Sequence, residues 1–123
     1  MKVTMLHVSI TVADLEKSIA FYTKALDMKL KCKVDIPYAT LGMMVDNADS
    51  GFELELTCPK EKTEVVGDKK YHFAVTVDDF EAAQKLHEEM GCIQRKVPNK
   101  ELHFITDPDG NLIEVLSEVQ AAK

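Results

Sequence analysis

Between Met5 and Val12 apolar and polar residues alternate, and Val, Ile and Thr are frequent, which predicts a half-buried strand. From Leu15 the rhythm changes. Leu15, Ile19, Tyr22 and Leu26 recur at helical spacing and predict one apolar helix face, with Asp14 placed to accept the free amides of the first turn. Alternation then returns over Leu30–Ile36, Tyr38–Val45 and Phe52–Thr57, with Asn47–Gly51 as a turn.

The same order recurs further on. Sliding the chain along itself lays HVSITVADLE (7–16) over HFAVTVDDFE (72–81), so that His7 meets His72, Thr11 meets Thr76 and Asp14 meets Asp79. Tyr71–Val77 reads as a strand. Phe80, Ala83, His87 and Met90 mark a helix face capped by Asp78 or Asp79, Asp78 with Glu81 approximating a capping box, and Gly91 stops the helix. Cys92–Val97, Leu102–Thr106 and Asn111–Leu116 follow as strands, the last two joined by the turn Asp107-Pro108-Asp109-Gly110. Two copies of a βαβββ unit are expected, about 1–58 and 68–123, in a single domain with a turn-rich joint near Pro59–Asp68. Strand-heavy halves with one helix each predict an α+β fold.

Composition narrows the function by exclusion. At 123 residues the chain buries roughly two thirds of its unfolded surface and needs no staple to fold. Its net charge of −6, with no basic stripe, argues against nucleic acid and anionic membrane as partners. The amino-terminal stretch lacks the unbroken apolar core of a signal peptide, and no stretch approaches a membrane span. Cys32, Cys58 and Cys92 show no CxxC spacing, so a reduced, cytoplasmic protein is expected, its cysteines serving as small hydrophobes.

The repeat turns scattered polar residues into a constellation. His7 and His72 hold equivalent places on the first strands; Glu55 follows His7 by 48 residues and Glu114 follows His72 by 42. One His on a strand is usually structural, and one Glu between Leu54 and Leu56, or between Ile113 and Val115, usually marks a solvated face. Chance rarely matches both in two halves. Two imidazoles and two carboxylates suit one Zn²⁺, Ni²⁺, Co²⁺ or Fe²⁺ ion, with Mn²⁺ also fitting. Glu53, two residues from Glu55, is open as ligand, supporting partner or bystander. His87 and His103 have no matched acid and read as structural. Phosphate-loop, nucleophile-elbow and Cys–His signatures are missing.

MLHVSITVADLEKSIAFYTKALDM (5–28), ELELT (53–57), HFAVTV (72–77) and DPDGNLIEVLSE (107–118) together resemble the vicinal oxygen chelate superfamily (glyoxalase, bleomycin resistance, dioxygenase), and within it bacterial glyoxalase I. The resemblance implies paired βαβββ modules forming a cupped, mostly antiparallel sheet, a homodimer, and one metal per site, nickel or zinc foremost, on His7, Glu55, His72 and Glu114. It implies isomerisation of a methylglyoxal–thiol hemithioacetal to a 2-hydroxyacyl thioester through an enediolate. Glu114 and Glu55 are the catalytic candidates, Glu114 given the larger role as proton-transferring base. Where family members that use glutathione carry an Arg and an Asn, this chain has Thr11 and Cys58-Pro59, and Asp27 replaces the Gly that usually ends the first helix. Rival readings are another metal-dependent member such as an acyl-CoA epimerase, or a non-catalytic, antibiotic-sequestering protein on the same scaffold.

Overall fold

The computed structural model describes residues 1–62 and 71–122. The chain divides into two compact units, Met1–Val65 and Val66–Lys123. In the first, β1 (His7–Thr11) leads into α1 (Leu15–Leu26), followed by β2 (Lys29–Ile36), β3 (Ala39–Val45) and β4 (Glu53–Pro59). In the second, β5 (His72–Val77), α2 (Phe80–Glu89), β6 (Ile93–Lys96), β7 (Leu102–Thr106) and β8 (Leu112–Ser117) repeat that order, and a short α3 (Glu118–Ala121) is added. The joint expected near Pro59–Asp68 falls mostly outside the described residues, and α3 was not foreseen from the sequence.

Each unit holds one four-stranded sheet, in the orders β1-β4-β3-β2 and β5-β8-β7-β6. The opening strand pairs parallel with the closing one, and the other pairs are antiparallel. A parallel partner needs a crossover connection, and the helix with its two intervening strands supplies it. The α+β fold with two βαβββ repeats is as expected.

Capping fixes where each helix starts. Asp14 Oδ1 accepts from Lys17 N at 3.1 Å, and Asp79 Oδ1 accepts from Ala82 N at 3.0 Å. Asp79, not Asp78, is therefore the cap, and the capping box built on Asp78 does not form. At the other end of α1, Asp27 takes the left-handed conformation, φ +52°, which an Asp tolerates better than most residues. Asn47 Nδ2 holds its carboxylate at 2.8 Å. Gly91, φ +67°, turns the chain after α2 as foreseen.

In the first unit Val12, Leu15, Tyr22, Ala25, Met28, Met44, Leu54 and Leu56 form the core. Ser18 and Ala25 take the deep positions of α1, while Ile19 and Leu26 are half-buried: small residues let the helix sit close to the sheet. Gly42 of β3 belongs to the same approach, since a Cβ there would stand 3.0 Å from Leu15 Cδ1. In the second unit Ile105, Ile113 and Val115 are fully buried, and α2 contributes His87.

Candidate metal centre

Strand alternation gives each sheet two unlike faces. Leu54, Leu56, Ile113 and Val115 bury completely, so Glu55 and Glu114, between them, point the other way. In the parallel pair β1–β4, His7 lies opposite Glu53 and Ser9 opposite Glu55, which puts His7 diagonal to Glu55. In β5–β8, His72 lies opposite Leu112 and Ala74 opposite Glu114, the same diagonal. His7 Nε2 stands 3.3 Å from Glu55 Oε2, and His72 Nε2 stands 2.9 Å from Glu114 Oε2.

The two carboxylates are not solvated surface acids, for their side chains keep only 17% and 18% exposure. The spacing also suits a shared cation. Two ligand atoms each about 2.0–2.1 Å from one metal ion lie about 2.8–3.4 Å apart at angles between square and tetrahedral. An imidazole nitrogen with a carboxylate oxygen is a donor pair for a borderline divalent metal. Within either unit the described residues gather such ligands in twos, with no cluster of three or more His, Cys, Asp or Glu side chains.

Other sequence candidates resolve differently. Glu53 accepts a hydrogen bond from Lys31 Nζ at 2.9 Å, and that partner holds the lysine's pKa above its usual value. The sequence could not find this pair, because Lys31 sits at an irregularity in the β2–β3 register. His87 and His103 are fully buried and face each other, Nδ1 to Nε2 at 2.8 Å, consistent with a structural role. Burial, and then the neighbouring His87, lower the pKa of His103 to about 4. The three cysteines are free; Cys92 has its thiol pushed up by burial, which keeps it protonated and inert.

Four neighbours of the pairs escaped the sequence reading. Ser9 and Thr57 share the face of Glu55, with their hydroxyl oxygens 2.7 Å apart, and Thr57 Oγ1 donates to Glu55 Oε1 at 3.2 Å. In the second unit Phe104, opposite Glu114, meets His72 edge to face at 5.6 Å between ring centroids, and the Arg95 guanidinium lies 5.0 Å over the Phe104 ring. Period-2 counting from His7 and Glu55 points to Ser9 and Thr57. Phe104 and Arg95 become neighbours of the site only through strand register.

Comparison with known proteins accords with this arrangement. The lactoylglutathione lyase of Escherichia coli O157:H7 is 33% identical over 130 residues, covering 97% of this chain and 96% of that protein. The lactoylglutathione lyase of Neisseria meningitidis serogroup A is 32% identical over 125 residues, covering 93% and 90%. Among solved structures, the trypanothione-dependent glyoxalase I of Leishmania major superposes with a TM-score of 0.87 at 33% identity, covering 98% of this chain and 91% of that one. Residues 4–115 match the family model of the Glyoxalase/Bleomycin resistance protein/Dioxygenase superfamily. With the repeated βαβββ fold, that match over most of its length makes this chain a member of the superfamily.

Proposed function

We propose that the chain is a metal-dependent lyase of the glyoxalase I type, in which His7, Glu55, His72 and Glu114 hold one divalent cation, nickel or zinc foremost. The substrate proposed is the hemithioacetal of methylglyoxal and a thiol. The observation that carries this reading is the diagonal His–Glu pair found at register-equivalent points of both repeats. Relatives named lactoylglutathione lyase support the reaction class. A cytoplasmic homodimer, each chain one domain of two repeats, completes the proposal. No helix among the described residues is long and apolar enough to cross a membrane.

When bound, the cation would polarise the two vicinal oxygens of the substrate and stabilise the negative charge that develops on them. The protein supplies the proton transfer. Glu114, partly withdrawn from water beside Ile113 and Val115, takes a proton from the carbon bearing sulfur and returns it to its neighbour. His72 Nε2, 2.9 Å from Glu114 Oε2, is placed to hold the same cation as that carboxylate. Phe104, largely buried beside His72, keeps water from one side of the imidazole.

Metal content of the purified protein, wild type beside His72→Ala, tests the centre. About one nickel, zinc, cobalt, iron or manganese per site, lost in the variant, together with thioester formation from hemithioacetals, is the expected result. A wild type that takes up no metal after reconstitution would leave a binding protein on this scaffold as the reading.

A further inference from the structure

Burial does not distinguish the two carboxylates of the proposed centre, and each has its histidine. What else they touch does. Oε2 of Glu55 faces His7, while Oε1 accepts the hydroxyl of Thr57 at 3.2 Å. Thr57 has one hydroxyl proton and gives it to Glu55. Ser9, whose Oγ lies 2.7 Å from Thr57 Oγ1, is therefore the donor in the second bond. The order of donation runs from Ser9 to Thr57 to Glu55, and both oxygens of Glu55 are engaged.

The repeat provides its own comparison. Ala74 stands to Glu114 as Ser9 stands to Glu55, and Leu116 follows Glu114 by two residues as Thr57 follows Glu55. Neither Ala74 nor Leu116 has a polar side-chain atom. The hydroxyl pair is present at one carboxylate and missing at its counterpart, although strand register and exposure match.

We propose that Thr57, backed by Ser9, is a positioning residue for Glu55. The hydroxyl pair fixes the carboxylate's rotation before any cation arrives, so little side-chain freedom is lost on ligation. Glu55 is thereby a ligand set in place in advance, whereas Glu114 has its histidine but no such hydroxyl pair. This inference rests on the metal centre proposed above.

The test reads metal affinity, by chelator competition for Ni²⁺ or Zn²⁺, on full-length protein. Thr57→Val should weaken binding about tenfold, the usual order for a group that supports a ligand, and Ser9→Ala should weaken it less. Thr57→Ser, which keeps the hydroxyl, should bind within about twofold of wild type. The double variant Ala74→Ser with Leu116→Thr builds the same hydroxyl pair beside Glu114 and should tighten binding several-fold, the reverse of the Thr57→Val effect. Thr57→Val and Ser9→Ala proteins that fold, by circular dichroism, and bind as tightly as wild type would overturn the positioning role while leaving the centre intact. Failure of the wild type to bind either metal would overturn the centre and this inference together.

Discussion

His7 on β1 and Glu55 on β4 lie 48 residues apart in sequence and 3.3 Å apart in space, on adjacent parallel strands. The relationship depends on a diagonal offset: the residue opposite Glu55 is Ser9, and the residue opposite His7 is Glu53. A histidine reaches a diagonal neighbour where a shorter side chain would not. The pairing also sorts the two acids of β4, giving Glu55 to His7 and Glu53 to Lys31. His72 and Glu114 repeat the geometry in the second unit.

The two carboxylates should separate on replacement. Glu114→Gln keeps the shape and removes the base, so kcat should fall about 100-fold or more, with metal retained. Glu55→Gln should act mainly through metal affinity, with kcat recovering as metal is added in excess. Steady-state kinetics alongside metal analysis measure both. Unchanged turnover in metal-loaded Glu114→Gln would refute its assignment as base.

Thr11 shares the face of His7 and Ser9, since alternate residues of β1 point the same way. A threonine cannot grip a carboxylate as an arginine fork does. Thr11→Arg should raise kcat/KM for the glutathione hemithioacetal, chiefly by lowering KM. The adduct of an uncharged thiol such as 2-mercaptoethanol should show no gain. Equal effects on the two adducts would rule out a carboxylate contact.

The buried histidine pair should make the protein acid-labile. Folded His103 titrates at about 4, against an ordinary value of 6.5, with His87, Lys96 and Glu88 as its charged or titratable neighbours. Below pH 6.5 the unfolded chain takes up a proton that the folded one refuses, so stability falls as pH drops towards 4 and levels off below it. The loss attributable to this group is about 3 kcal/mol across that window. Thermal unfolding followed between pH 7 and 4 measures it, and His103→Gln should flatten the curve while lowering its plateau.

Asp107 closes the turn between β7 and β8. Its carboxylate accepts from Asp109 N at 2.9 Å and from Asn111 N and Nδ2, each at 2.8 Å, and the residue is 5% exposed. Asp107→Ala strands those donors in a poorly hydrated place and should cost about 2–3 kcal/mol. Urea unfolding should show a lower midpoint with an unchanged slope. Asp107→Asn, which keeps an acceptor oxygen, should lose less.

Local pattern determined much of this protein. Period-2 and helical spacing located the strands and both long helices to within one or two residues, because alternation and capping are properties of short segments. The repeat, a comparison of the chain with itself, sets His7 against His72 and Glu55 near the place of Glu114, with Glu53 left open beside Glu55. What the pattern could not express was register. That β1 runs parallel beside β4, with Ser9 opposite Glu55, follows from strand pairing within the first unit, and it brings Ser9 to Glu55 and Thr57 as the matching pairing brings Ala74 to Glu114. The same limit hid the pairing of His87 with His103, which joins a helix to a strand 16 residues away. Local sequence chooses the faces of each element; tertiary packing decides which faces meet.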